Sequence, residues 1–544
     1  MKAKRPKSWL NLNSKNKYFG FITSLLLILA WPPIPYSAPL LLIALLPVLL
    51  HTESIIQSDN KRKGKRIFWT TFLVFFIWNT ASIYWVFNAM NAFLSVPVSL
   101  LISLIPFGLA PLLMATCFWI YGKLRKRLPL LLSLLALASL WTCYEYLHQW
   151  WDLAFPWMTL GNGWANFHEL AQWYSFTGVF GGTWWIWGSN ILIFLLCVEP
   201  KKAKTYAAAL AAWLTVPMAT SLYIYSSYEE PFNPSQIVVV QPNVDPYGKF
   251  SFISHQEQLE NLMRLSESVA PVNTEFFIWP ETALSDPNGI NEDEFREYPQ
   301  FSEIQGFLMK FPNGNVLSGI ESFQVYSEPR TITARDYGGV YIDHFNAGVL
   351  IDNSSKLQYY HKSKLVPGVE QLPFGEKLAF MKPLFQHFGG TTGGYGKQSE
   401  PSVLYSASGI GAAPVICYES IWGNYVSDYI NKGAQFIAII TNDGWWGNTS
   451  GKDQHLQYAK LRAIETRRWV ARSANTGISA FINQKGDIVE KTSWWEEAAL
   501  TQEINLNEEI TFYSKHKDWV FFASGVILIL TIIGFLKNSK RKQQ

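Results

Sequence analysis

A chain of 544 residues is too long for one compact core, so several domains or a membrane bundle are expected. Hydrophobic residues make up 49% and charged residues 16%, with 24 Trp, 25 Tyr and 36 Phe. That balance argues against a disordered chain or a nucleic-acid binder and for a membrane protein with interfacial aromatics, and a net charge of only +4 makes the placement of basic residues the informative quantity.

In chain order, apolar runs long enough to cross a bilayer as helices cover 19–33, 37–52, 67–90, 96–122, 129–148, 170–198 and 204–226, with an eighth at 518–537. The first two share WPPIPYSAP. No small-residue cleavage site follows the first run, so it is expected to stay in the protein rather than leave as a signal peptide. The stretches KAKRPK, NKRKGKR (60–66), GKLRKR (122–127), EPKKAK (199–204) and KNSKRKQQ are basic, whereas WPPIPYSAP, NAMNAFLSVP and HQWWDLAFPWMTLGNGWANF hold no Lys or Arg. Under the positive-inside rule this alternation places both termini in the cytoplasm and makes the number of spans even. Buried helices of a soluble protein would not sort charge by alternate loops. Trp150, Trp151, Trp157 and Trp164 read as an interfacial belt. Glu145, near the outer end of a span, reads either as functional or as the cap of a polar contact.

Three regions follow: a membrane domain over 1–228, a polar domain over 229–512 outside the cytoplasm, and a last span with a basic tail over 513–544. Within the polar domain, SQIVVVQPNV, TEFFIWPETAL, GNVLSGIESF, YIDHFNAGVLID, APVICYES, QFIAIITND and ISAFINQKGDI read as strands of an α/β fold. Helical spacing covers 254–269 and 452–473. GGTTGGYGK (389–397) is expected to be a flexible loop and fails as a phosphate loop. Cys117, Cys143 and Cys197 lie in apolar runs, and Cys417 alone lies in polar sequence. Neither a disulfide framework nor a CxxC metal pair is present, and no cofactor or metal is expected.

Three predicted strand ends carry chemistry. IWPETALS ends on Glu281, YYHKSKLVP supplies Lys362 and Lys364, and PVICYES supplies Cys417. A cysteine nucleophile needs a base for its proton and a positive or N–H-lined pocket for the oxyanion. Taken singly, a solvated carboxylate, an exposed basic turn and a core cysteine explain them as well. His455 reads as a structural histidine and Asn442 as a brace for the turn near the cysteine.

In combination, WPE, HKxKLVP and CYE on successive strands, followed by TNDGWWG (441–447), resemble the nitrilase superfamily, over nearly all of 235–510. With the membrane runs, FPWMTLGN (155–162), HKSKLVPGVE (361–370) and RAIETRRWVARSANTGISA (462–480), the chain resembles the apolipoprotein N-acyltransferase family. The resemblance implies an αββα sandwich beside a helical bundle, with Glu281 as base, Lys362 as the lysine and Cys417 as nucleophile. It implies a loop glutamate eight residues beyond the lysine, which is Glu370, although LVPGVE departs from the family's LVPFGE and a second PFGE ends on Glu376. Tyr418 and Glu419 match the residues after the cysteine. The implied reaction moves a fatty acyl chain from a phospholipid, phosphatidylethanolamine in the family, through a cysteine thioester to the amine of a diacylated apolipoprotein. It would run in a monomer in the bacterial inner membrane, with no nucleic acid involved. The alternatives are a membrane-tethered amidase with water as acceptor and a transporter or scaffold whose sandwich only binds a ligand.

Overall fold

The structure is a computed structural model that describes residues 19–92, 94–246, 254–287, 289–331, 333–354, 356–375 and 394–541. Among them, six helices are long and apolar enough to cross a membrane: Ala38–Gln57, Val96–Leu124, Leu130–Leu147, Tyr174–Val198, Pro200–Ser227 and Trp519–Lys537. Lys63–Ser82 and Trp85–Asn91 are apolar enough together but bent by 61° at their break, the shape of a broken span or a re-entrant loop. Where the hydropathy predicts eight spans, the first run forms only the short helix Phe21–Ala30. Ten residues rise about 15 Å, half the hydrocarbon thickness. The prolines of Trp31-Pro32-Pro33 stop it, because proline lacks the N–H that a further turn would need. The peripheral helices leave Val216, Leu222, Ile529 and Leu530 exposed, as expected of surfaces solvated by lipid. Trp157 and Trp164 correct the predicted belt: both are fully buried, whereas Trp150 is exposed.

Beyond the bundle the chain forms β1 (Pro234–Gln241), β2 (Phe276–Ile278), β3 (Ile290–Asn291), β4 (Asn315–Tyr326), β5 (Arg335–Asp336), β6 (Tyr341–Ile351) and β7 (Leu357–His361). It continues with β8 (Leu404–Tyr405), β9 (Gly411–Ile416), β10 (Phe436–Thr441), β11 (Val470–Ala474), β12 (Ala480–Ile482), β13 (Ile488–Lys491) and β14 (Ala498–Asn505). One sheet has the order β14-β1-β2-β4-β6-β5, with β3 on β4 and β7 on β6; the other runs β13-β12-β11-β10-β9-β8.

The alternation of β1 explains how the sheets stack. Ile237 and Val239 join Ile416, Ile437 and Ile439 of the second sheet in one core. Val238 and Val240 face the opposite way, onto Leu259 and Leu262 of the helix His255–Val269. Phe276 and Phe436 meet edge to face across the sandwich at 5.0 Å. Each fully buried aliphatic side chain contributes about 1.5–3 kcal/mol of burial, so a one-residue slip of β1 would forfeit several such terms at once. The predicted helix over 452–473 is shorter in the structure. Ser450–Thr466 ends where Arg467 turns left-handed (φ 52°), and 470–474 belong to β11.

The core of the second sheet is continuous with that of the bundle: Trp31, Trp157 and Leu160 share one cluster with Leu456 and Ile464 of Ser450–Thr466. Gln454 is the central polar contact. Its Oε1 accepts from Trp85 Nε1 (3.2 Å) and Trp157 Nε1 (2.7 Å), and its Nε2 donates to the carbonyls of Pro32 (3.0 Å) and Ser82 (2.9 Å). The Pro32 carbonyl lies in the turn just past the short first helix and the Ser82 carbonyl ends Lys63–Ser82, so an amide from the polar domain satisfies the backbone at two breaks between membrane helices. Elsewhere Arg467 Nη1 donates to Gln172 Oε1 (2.9 Å) and Trp422 Nε1 to the Gln149 carbonyl (3.3 Å).

Candidate active site

The three predicted strand ends converge. Glu281 follows β2 by way of Trp279-Pro280, Lys362 follows β7, and Cys417 follows β9. Gly319 on β4 permits the approach of the Glu281 turn, since a Cβ there would stand 2.6 Å from Glu281 Cα. Lys362 Nζ donates to Glu281 Oε1 (3.0 Å) and Glu370 Oε1 (2.7 Å), and all three side chains are buried. Asn346 Nδ2 ties the two carboxylates together, donating to Glu281 Oε1 (2.8 Å) and Glu370 Oε1 (3.0 Å). Glu370 Oε2 also accepts from the Val366 N–H (2.7 Å), closing its own loop. Of the two loop glutamates weighed from sequence, Glu370 is thus in the cluster, and Glu376 lies outside the described residues.

Cys417, the first residue after β9, has φ 49°, a left-handed conformation that costs a non-glycine residue about 1–3 kcal/mol. The surroundings hold it. Glu419 Oε2 accepts from the Ile416 N–H (2.9 Å), Ser420 Oγ donates to the Cys417 carbonyl (2.9 Å), and His455 Nε2 lies 3.1 Å from that carbonyl. Burial raises the thiol's pKa and the Glu281 charge adds to it, while the Lys362 cation and a hydrogen bond with Thr441 pull it down. For Lys362 burial alone would lower the pKa, but Glu281 and Glu370 outweigh it and hold the ammonium well above the ordinary lysine value. A permanent cation therefore stands beside a thiol that needs one to ionise.

Glu419 is wholly buried. Its Oε1 accepts from Tyr360 Oη (2.6 Å) and from the N–H groups of Ser363 (2.8 Å) and Lys364 (3.1 Å). One carboxylate thus fastens the cysteine turn to the lysine turn. Tyr418 Oη donates to the Ala154 carbonyl (3.0 Å), docking the turn on a membrane loop. Glu145 belongs elsewhere. It accepts from Trp141 Nε1, the Leu160 N–H and Thr183 Oγ1, each at 2.8 Å, and braces the bundle interior. The described part of the glycine-rich loop is tethered, with Tyr395 N–H donating to the Glu370 carbonyl (3.0 Å) and Gly396 N–H to the His344 carbonyl (2.7 Å).

Sequence reasoning missed Asn346 and the network behind the cysteine. His455 Nδ1 lies 2.9 Å from Asp443 Oδ1, His455 Nε2 lies 2.8 Å from Ser420 Oγ, and Asp443 pairs with Arg472. Burial opposes the Asp443 charge, but Arg472 and His455 bring its pKa down to about 2. Asn442 Oδ1 accepts from the Gly444 N–H (3.4 Å), the bracing role expected of it. Asn346 and Arg472 did leave a signal: each is a polar residue inside an apolar strand, FNAGVLI and VARSA.

Residues 239–512, about half the chain, match the carbon-nitrogen hydrolase family, so this domain is a carbon-nitrogen hydrolase domain on a helical membrane bundle. Residues 23–192 match the apolipoprotein N-acyltransferase N-terminal domain. The chain is 30% identical over 375 residues to the apolipoprotein N-acyltransferase of Chlorobaculum tepidum, covering 66% of this chain and 69% of that one. To apolipoprotein N-acyltransferase 2 of Treponema denticola it is 28% identical over 318 residues, 56% of this chain and 55% of the relative. Nit3 of Saccharomyces cerevisiae, a nitrilase-superfamily member, aligns at 15% identity and a TM-score of 0.36, over 52% of this chain and 94% of Nit3. The chain belongs to the apolipoprotein N-acyltransferase family, and it is an acyltransferase.

Proposed function

We propose that the protein transfers a fatty acyl chain from a membrane phospholipid, such as phosphatidylethanolamine, to the N-terminal amine of a diacylglyceryl-cysteine apolipoprotein. The observation that carries this reading is the buried Glu281–Lys362–Glu370 cluster beside a half-buried cysteine at φ 49°. Glu281 takes the proton of Cys417, and the thiolate attacks the acyl ester carbonyl. Lys362 and the Tyr418 N–H stabilise the oxyanion, and a preorganised donor of this kind contributes about 3–4 kcal/mol to the transition state. When the tetrahedral intermediate collapses, the ester C–O bond breaks, and Glu281 returns its proton to the departing lysophospholipid oxygen. The lipoprotein amine then attacks the thioester and Glu281 receives the amine proton. An amide forms as the C–S bond breaks, and the proton passes back to the Cys417 sulfur. Exclusion of water keeps the thioester for the amine.

The bundle beside the site supports lipid substrates, and the basic loops support an inner-membrane orientation with the catalytic domain outside and the C-terminus cytoplasmic. A cytoplasmic N-terminus, expected from KAKRPK, requires the short helix Phe21–Ala30 and the 31–37 stretch after it to count as an eighth crossing. A monomer is proposed as the working state. The proposed regions are 1–228, 229–512 and 513–544.

The test is incubation of the purified protein with phosphatidylethanolamine and a diacylated lipopeptide, with mass spectrometry of both products and of the Cys417 peptide. A fatty-acyl mass on that peptide and N-acylated lipopeptide are expected. Free fatty acid without N-acylated lipopeptide would replace this reading with a hydrolase that uses water.

A further inference from the structure

Lys364 stands outside the Lys362 cluster, although only Ser363 separates the two lysines. Its backbone N–H is held by Glu419 Oε1, whose other oxygen holds the Ile416 N–H next to Cys417. One carboxylate therefore fixes Lys364 relative to the nucleophile. The side chain runs toward the membrane loop, where Nζ sits 5.0 Å from the Trp150 ring centroid and 5.1 Å from that of Tyr425. Trp150 is 54% exposed at the outer end of Leu130–Leu147, in the loop on which Tyr418 docks through the Ala154 carbonyl.

Two ring faces orient an ammonium but supply no counter-charge. The carboxylates that act on Lys364 are engaged elsewhere: Glu419 accepts from Tyr360 and three backbone N–H groups, and Asp428 pairs with Lys517. A second cation, Lys397, acts on it as well, and burial together with that cation holds its pKa below the ordinary lysine value. An anion placed here would relieve both effects.

We propose that Lys364, seated between Trp150 and Tyr425, is the subsite for the phosphodiester of the phospholipid acyl donor. The inference rests on the acyl-transfer reading above and deepens it. In a glycerophospholipid the glycerol joins the acyl ester directly to the phosphate, so anchoring the phosphate at Lys364 brings the ester to the turn of Cys417. Lys364 reads the phosphate alone and does not select among headgroups beyond it.

The test compares acylation of Cys417 in the full-length protein by phosphatidylethanolamine and by a p-nitrophenyl ester of the same fatty acid, which lacks phosphate. Loss of one charge-assisted contact is expected to lower the phospholipid-to-ester rate ratio roughly tenfold in Lys364→Met, and Lys364→Arg should restore most of it. An unaltered ratio in Lys364→Met would overturn the subsite. No acyl mass from either donor on the wild-type protein would overturn the acyl-transfer reading instead. A measurement on wild-type protein needs no variant: a non-hydrolysable diether phospholipid should shield Lys364 from an amine-selective label, and the matching diether glycerol should not. Equal labelling under the two lipids would overturn the subsite.

Discussion

The Cys417 thiol lies between two charges of opposite sign, and each can be removed separately. Glu281 raises its pKa and Lys362 lowers it. In Glu281→Gln the like charge is gone, so the thiolate forms more readily and the pH midpoint for alkylation by iodoacetamide should move down. In Lys362→Met the attraction is gone and the midpoint should move up. Alkylation profiles on the two variants check both signs, and shifts in the same direction would reject this charge arrangement. Lys362→Met also leaves two carboxylates facing each other with only Asn346 between them. Acyl transfer should fall by about two to three orders of magnitude, and unfolding measured by heat should come earlier because the two buried charges lose their partner.

At the scale of elements, the site depends on turns held in register by buried side chains. Glu419→Ala would free the lysine turn from the cysteine turn, and misplacement by about an ångström costs roughly a hundredfold in rate. The expected result is a fall in kcat for lipopeptide acylation while the protein remains folded by circular dichroism. Gln454→Leu is a packing change at the junction of two membrane helices. It strands two indole N–H groups and two carbonyls, and at about 1–3 kcal/mol for each unsatisfied group the fold should lose several kcal/mol. Thermal unfolding in detergent, followed by tryptophan fluorescence, reads that loss. The strand ends bearing Glu281, Lys362 and Cys417 were legible because apolar runs stop abruptly at polar residues. Asp443 and Gln454 were not, and Asn346 and Arg472 showed only as polar residues inside apolar strands, since an amide or ion pair acquires its role only from a partner far away in sequence. The short first helix was illegible for a different reason: hydropathy measures apolar length and does not register where prolines stop hydrogen bonding.

Across the whole molecule, the polar domain and the bundle share one core and exchange buried hydrogen bonds. A 229–512 fragment should therefore expose Leu456, Ile464 and Gln454, and should aggregate or bind a hydrophobic dye when expressed without the bundle. A monodisperse, cooperatively unfolding fragment by gel filtration and calorimetry would show that the interface is dispensable. The carbonyls of Pro32 and Ser82 carry a consequence of another kind, because their donor resides on a helix made some 370 residues after Ser82. During synthesis the early spans reach the bilayer long before that donor exists, and lipid offers those carbonyls nothing. The bundle thus stays unfinished until the polar domain has been made and folded, so completion of the membrane half reports that the catalytic half is in place.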